Sequence, residues 1–263
     1  MCIASIAWNA HPRWQLVVLA NRDERHARPA APLARWNDGR GIIAGRDLES
    51  GGSWLGIGEG RRFALVTNRR TGALPRASAP SRGALVSDWL AGEPHPDDAR
   101  LAACNPFNLV LVGNGEARIV SNHPRVRNAA LAPGIVGVSN GPAGEAWPKT
   151  RKLDDALAGW LAGEARDPVP LMATLRDETL PPGVKTPPVP PGPGREPRDT
   201  PIFIRDNVYG TRCSTVIMIA HDGNSTIHER RFDSRGEQTG ETRVAFCWPA
   251  QSEVLIGGTK RLA

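Results

Sequence analysis

The residues with the clearest chemical potential stand at the start of the chain, where Cys2 follows Met1. If Met1 is removed, Cys2 carries both a thiol and a free α-amine. A thiol attacks well only as the thiolate, and its ordinary pKa of ~8.5 leaves it mostly protonated at neutral pH. The α-amine titrates at about 7.7 to 8.0, so it can accept that proton and act as the general base. The alternative is that Cys2 is a small apolar residue that opens a strand.

Further reactive or hydrogen-bonding groups stand where predicted strands begin or end. Leu16 to Ala20 is an apolar strand that runs directly into a polar cluster, which alternatively fits a charged turn leaving the sheet. Strand ends normally carry turn residues suited to backbone geometry, and asparagine is one of these. A single asparagine at a strand end is therefore weak evidence for a site. The recurrence of polar and reactive groups at several strand ends is stronger evidence. The set comprises Cys2, Asn21, Arg22, Asp23, Glu24, Asn68, Asn140 and Arg212.

Apolar patterning predicts the elements that must position these groups. Residues 26–53 are rich in proline and glycine and predict a long surface loop, interrupted by a short strand at Ile42–Ala44. Amphipathic helices are predicted over Ser81–Leu90 and Lys149–Leu161, with weaker helices at 97–103 and 168–176. Two sheets between two helical layers account best for this order. The other predicted strands are 2–8, 15–20, 62–67, 108–112, 117–120, 134–139, 213–220, 225–232 and 243–248.

Length and composition favour one domain spanning residues 1–263, with a formal charge of +6. Residues 181–197 hold eight prolines and predict an extended proline-rich loop without regular structure. The arginines are scattered rather than grouped, and phenylalanine and tyrosine are few, so we expect no nucleic-acid partner.

The four cysteines are widely spaced and form no CxxC pair. This pattern predicts independent thiols in a reducing compartment and no metal site. No run reaches the ~18 apolar residues of a membrane helix, and the first residues lack a basic region followed by an apolar core. We therefore expect a cytoplasmic protein that is not inserted in a membrane.

The run Ala20-Asn21-Arg22-Asp23-Glu24 behind an initial Met-Cys resembles the signature of the NRDE family, also called the transport and Golgi organisation protein 2 family. The resemblance implies an α+β fold, the four-layer αββα sandwich with two antiparallel sheets between helical layers. This is the fold of N-terminal nucleophile hydrolases such as bile salt hydrolases and penicillin V acylases. The resemblance covers nearly the whole chain and extends through residues 45–47, 52–56, 67–69, 137–142 and 209–212.

The resemblance also implies a role for each residue of the set. Cys2 resembles the nucleophile and base, and Asn68 and Asn140 resemble oxyanion-hole and amine-positioning groups. Arg212 resembles a late-strand arginine that stabilises charge around the thiolate. Asp23 resembles the carboxylate that holds the amine or thiol. Arg22 resembles the guanidinium near that carboxylate.

The spacing of Arg22 and Asp23 departs from the acylases, in which two residues separate the arginine from the aspartate. Adjacent residues point to opposite faces of a regular strand. Either a β-bulge re-aims one of them, or Asn21 or Glu24 takes one of the two roles.

Two functions fit these residues. The first is a cysteine N-terminal nucleophile amidohydrolase, without a required cofactor, that acts on a non-peptide C–N amide or thioester bond of a small acylated substrate. The second is a non-catalytic protein of the same fold that binds or moves haem or an acyl-lipid. The chain has no CxxCH motif, and its six histidines lie mostly in predicted turns or exposed strands, which argues against a dedicated haem site.

Overall fold

The computed structural model describes residues 2–164, 166–184 and 197–248. Their strands form two antiparallel sheets. The six-stranded sheet has the order β10 (Gly134–Val138), β1 (Cys2–Trp8), β2 (Trp14–Arg25), β11 (Tyr209–Ala220), β12 (Asn224–Phe232) and β13 (Gln238–Cys247). The seven-stranded sheet has the order β3 (Ala30–Arg35), β4 (Ile42–Asp47), β5 (Leu55–Gly58), β6 (Arg62–Asn68), β7 (Phe107–Gly113), β8 (Glu116–Ser121) and β9 (Arg127–Ala130).

Side-chain alternation along the strands separates the layers of the fold. In β1, Ala4 and Ile6 belong to the core shared by the two sheets, whereas Ile3 and Ala7 belong to the core beneath the helices. Helices α3 (Pro148–Ala162) and α4 (Val169–Thr174) cover the six-stranded sheet, and α1 (Arg82–Leu90) and α2 (Asp98–Ala103) cover the seven-stranded sheet. The predicted αββα sandwich is confirmed.

Helix α1 illustrates how local sequence fixes an element. Ser81 caps its start by accepting a hydrogen bond from the backbone N–H of Gly83 at 3.2 Å. The buried side chains recur at helical spacing, and they are Leu85, Val86, Ser87, Trp89 and Leu90. Gly92, with φ of 102°, follows the C-cap Ala91 and prevents a further turn.

Residues 26–53 differ from the predicted long loop, because they contain two strands, β3 and a longer β4. Only Leu33 of β3 is buried, so this edge strand has no alternating apolar pattern. Pro32 falls within a shift of register between Ala31 and Ala34, where an edge strand tolerates a missing donor. Strand β9 was also not predicted, because all four of its residues are exposed.

Strand β2 continues through the polar cluster, so the interpretation of Asn21–Glu24 as a charged turn is wrong. The cluster stays extended because β1 pairs with its first half and β11 with its whole length. Of the proline-rich segment 181–197, residues 185–196 lie outside the described part of the chain. No helix in the described ranges is long and apolar enough to cross a membrane.

Candidate active site

Three neighbouring strands bring Cys2, Arg22 and Cys213 into one row. Cys2 on β1 is paired with Arg22 on β2, and Arg22 is paired with Cys213 on β11. The register of β11 shifts between Thr211 and Cys213, so Arg212 is an extra residue without an opposite partner on β2. The bulge turns Thr211 toward one face of the sheet and Cys213 toward the other.

Arg22 and Asp23 point to opposite faces, as regular alternation requires. The Arg22 guanidinium reaches the seven-stranded sheet, where its Nη2 lies 3.1 Å from Oδ2 of Asp47. Asp23 turns toward the helices, and its Oδ1 accepts a hydrogen bond of 2.7 Å from the hydroxyl of Thr211. The expected bulge that would re-aim Arg22 or Asp23 is therefore absent from β2, and the bulge at this end of the sheet lies in β11 at Arg212.

A cavity of about 410 Å³ opens where these strands meet the seven-stranded sheet. Cys2 lines it and is 8% exposed. The wall also includes Arg22, Asp23, Glu24, Asn68 and Arg212 of the predicted set, together with Trp54, Arg82 and Cys213. The cavity therefore gathers six of the eight predicted residues, including Cys2, whose thiol stays in contact with solvent.

The thiol of Cys2 is not activated by its surroundings alone. Burial raises its pKa above the ordinary value, and the Asp23 carboxylate raises it further. The guanidinium of Arg22 and the backbone N–H of Asp23 oppose this shift because both stabilise the thiolate. A local base is therefore needed to remove the proton at neutral pH.

A second charged group, Lys149, lies under the same end of the sheet. It is 3% exposed near the start of α3, and its Nζ donates to the hydroxyl of Thr200 at 2.8 Å. Burial lowers its pKa to about 8, while the charges of Asp23 and Cys2 act in the opposite direction. Burial likewise raises the pKa of Asp23 to about 6, opposed by the charge of Lys149.

Asn68 lines the cavity, whereas Asn140 does not, and the two side chains are bonded differently. The Asn140 side chain is fully buried, and its Nδ2 donates to the backbone oxygen of Asn68 at 2.7 Å. Asn68 ends β6 and lines the cavity, and its side-chain amide makes no hydrogen bond within the described residues. Asn68 thus has a donor available for a ligand, and Asn140 holds the backbone that carries it.

The remaining predicted residues have structural partners. Asn21 is fully buried, and its amide ties β2 to the carbonyl oxygens of Leu175 and Ile202 at 2.8 and 2.9 Å. Glu24 lies at the rim and accepts a hydrogen bond from the backbone N–H of Arg25. Arg212 donates through Nη1 to the carbonyl oxygens of residues 25, 26 and 28.

Sequence reasoning missed several residues of the site, including Asp47, Arg82, Lys149 and Glu229. Asp47 stood within a motif of the resemblance but was given no role. Lys149 lies in a predicted helix, and the apolar stripe of that helix does not single it out. The signal that points to it is the preceding pair Trp147 and Pro148, which indicates that the helix begins in the protein interior. No group of three or more His, Cys, Asp or Glu side chains in the described ranges is placed to hold a metal ion.

An αββα sandwich whose first strand begins with a cysteine defines a class of protein, the N-terminal nucleophile hydrolase fold. The structure is similar to that of the mutant C2A conjugated bile acid hydrolase from Clostridium perfringens, with a TM-score of 0.52 and 8% sequence identity. The likeness covers 93% of this chain and 92% of the other. At that identity it shows the fold alone.

The chain belongs to the transport and Golgi organisation 2 family, whose family model matches residues 1–234. The transport and Golgi organization protein 2 homolog of Bos taurus is 30% identical over 268 residues, covering 88% of this chain and 92% of that protein. The human homolog is 28% identical over 273 residues, covering 93% and 98% respectively. The family resemblance predicted from the sequence is confirmed.

Proposed function

We propose that the protein is a cysteine N-terminal nucleophile amidohydrolase that cleaves a C–N amide or a thioester bond of a small acylated substrate. One observation carries the proposal: Cys2 heads β1 at the wall of an open cavity, with Arg22 opposite it and the free Asn68 amide on the same wall. The similar bacterial structure is a C2A mutant of a conjugated bile acid hydrolase, which agrees with a cysteine at this position.

The reaction begins with removal of Met1, which frees the α-amine of Cys2. The amine takes the thiol proton, and the sulfur attacks the carbonyl carbon of the substrate, so that a C–S bond forms and an oxyanion develops. The side-chain amide of Asn68 donates to this oxyanion. Collapse breaks the C–N bond as the protonated amine returns its proton to the leaving nitrogen, and water then hydrolyses the thioester.

The buried charges behind Cys2 support this assignment of the base. The Asp23 carboxylate is placed beneath the same end of the sheet, where a carboxylate stabilises the protonated form of a nearby amine. The four free cysteines also support our proposal that the protein works in the reducing cytoplasm.

Two measurements test the proposal together. Intact mass spectrometry of the purified wild type is expected to show loss of one methionine, and Cys2→Ala is expected to abolish turnover of a panel of fatty acyl amides and thioesters. Cys2→Ala replaces one small residue of a strand, so unchanged thermal unfolding is the control for folding. Full turnover by Cys2→Ala, or full activity of a chain that retains Met1, would overturn the proposal.

Ligand binding without any turnover would instead favour the haem or acyl-lipid binding alternative, which haem titration monitored at the Soret band addresses directly.

A further inference from the structure

The wall of the cavity around Cys2 carries an excess of positive charge. Seven arginines line it against five carboxylates, with no lysine or histidine in the described lining. Asp47 pairs with both Arg22 and Arg28, and Glu229 pairs with Arg231. Asp47, Glu49 and Glu229 are thus engaged in ion pairs, and the wall keeps two more guanidinium groups than carboxylates.

Arg82 is the arginine whose charge is least compensated. Its Nη1 donates to the backbone oxygen of Pro106 at 3.1 Å, and it makes no other hydrogen bond and no ion pair within the described residues. Burial lowers the pKa of its guanidinium, and the largest opposing influence is the negative charge of Cys2. Arg82 is partly buried, and a guanidinium in that setting with only one neutral partner gains from pairing with an anion.

The start of α1 adds to this positive wall. Ser81, Arg82 and Gly83 all line the cavity, and the first turn of the helix contains no acidic residue. The Ser81 side chain satisfies only the N–H of Gly83, so the helix end keeps its partial positive charge. Gly52 fixes this position, because a Cβ there would lie 2.4 Å from the backbone carbon of Gly83.

The negative charge of the Cys2 thiolate does not balance the positive charge of the cavity wall at every stage of a catalytic cycle. Arg22 already lies opposite Cys2 on the neighbouring strand, and its guanidinium forms an ion pair with only one carboxylate, that of Asp47. When the sulfur becomes a neutral thioester, Arg82 loses the one anionic neighbour that favours its charged form most. A substrate that carries its own anionic group keeps Arg82 compensated before and after acylation.

We propose that Arg82 and the N-terminus of α1 bind an anionic group of the substrate, so that the site takes acyl amides or thioesters that also carry a carboxylate or a phosphate. The reaction in this inference rests on the proposed function, whereas the binding of the anionic group does not. Carboxylate and phosphate both match a guanidinium beside a helix N-terminus.

Isothermal titration calorimetry on the full Cys2→Ala chain tests the binding without turnover. The probes are octanoate, octyl phosphate and the neutral 1-octanol. We expect at least one anion to bind about 10- to 100-fold more tightly than 1-octanol, in line with a charge-assisted hydrogen bond. The tighter of the two anions identifies the group as a carboxylate or a phosphate.

Substitutions in the same background assign the effect to Arg82. Arg82→Met is expected to remove the preference for the anion, and Arg82→Lys is expected to retain part of it. Arg100→Met is the matched control, because Arg100 is an exposed residue of α2 that pairs with Asp88 and does not line the cavity. Equal binding of the three probes, or an unchanged preference in a folded Arg82→Met chain, would overturn the inference.

The outcomes separate this inference from the proposed function. An anion preference in Cys2→Ala supports the inference even if the wild type turns nothing over. Turnover of neutral acyl amides by the wild type with no anion preference would overturn the inference and leave the hydrolase proposal standing.

Discussion

Two asparagines show how residue type alone leaves a role open. Asn68 and Asn140 both follow a strand, and the sequence gives them the same expected role. Their surroundings differ, because Asn140 is fully buried and bonded to the Asn68 backbone, while the Asn68 amide faces the cavity with no protein partner in the described residues. Under the proposed function, the free donor of Asn68 is the one that can serve an oxyanion, and the bonded donor of Asn140 holds the backbone of Asn68.

This difference predicts distinct phenotypes for the two alanine substitutions. Asn68→Ala is expected to lower kcat about 100- to 1000-fold, the usual cost of one oxyanion donor, with unchanged stability. Asn140→Ala is expected to lower the free energy of unfolding by about 1 to 3 kcal/mol, because it leaves a buried carbonyl oxygen without its donor, and to reduce kcat through the displaced Asn68. Steady-state kinetics and urea unfolding of both variants measure this, and a fully active Asn68→Ala would contradict it.

At the scale of single elements, one extra residue in β11 decides which groups meet. In a regular strand, Thr211 and Cys213 would share a face. The bulge at Arg212 lets Thr211 reach Asp23 beneath the helices while Cys213 lines the cavity beside Arg22. Strand β11 therefore places Cys213 beside Arg22 on one face of the sheet and Thr211 beside Asp23 on the other.

Helix α3 is fixed to β1 by a partly buried carboxyl group. The hydroxyl of Ser5 donates to Oδ1 of Asp154 at 2.5 Å. Burial raises the pKa of Asp154 to about 6 from an ordinary 3.8. Between these values the folded protein holds a proton that the unfolded chain has released, so this carboxyl becomes less favourable to folding as the pH rises through the window.

We therefore expect the stability of Asp154→Asn relative to the wild type to increase from about pH 4 to about pH 7. The increase is about 1 to 2 kcal/mol, because partial exposure of the carboxyl reduces the full effect. Guanidinium unfolding at both pH values measures it. Asp155→Asn, at the exposed neighbouring position, removes a charge that contributes to raising the pKa of Asp154, so it should show a smaller trend of the same sign. A pH-independent difference for Asp154→Asn would contradict the prediction.

At the scale of the whole molecule, the sandwich places four thiols in four environments. Cys247 is exposed, whereas Cys104 is buried under the helices of the seven-stranded sheet. Cys2 and Cys213 both line the cavity, but burial and the adjacent Glu229 carboxylate raise the pKa of Cys213 well above its ordinary value. Arg22 favours the thiolate of Cys2 from the neighbouring strand.

These environments predict the order of alkylation by iodoacetamide in the folded protein. Cys247 should react first and Cys2 next, and Cys104 and Cys213 should react only after unfolding, because thiolate character and access govern the rate. Peptide mass mapping of timed samples measures the order. Labelling of Cys213 as fast as Cys2 would contradict it, and labelling in denaturant gives the reference for equal access.

Local patterns predicted most of the fold. Helices α1 and α3 carry clear apolar stripes and end near glycines. The apolar strands of both sheets were predicted, but β2 runs five residues further at its end, and β11 and β13 begin four and five residues earlier, because these extensions are polar. Strands β3 and β9 were missed because they lie at sheet edges, where little is buried and no alternation is required. The candidate site was predicted in part, because Cys2 and the polar cluster lie in a recognisable order along the chain.

The sequence by itself determined the family, the layered fold and the position of the candidate nucleophile, because apolar periodicity and a short ordered motif are properties of the chain. Only the tertiary structure revealed Arg82 and Lys149, since each acts through desolvation and the approach of groups distant in sequence. It also decided that Arg22 and Asp23 serve opposite faces, because the bulge that supports them lies nearly two hundred residues away, at Arg212. Burial and cross-strand register belong to the folded chain, so no local pattern around Cys2 records them.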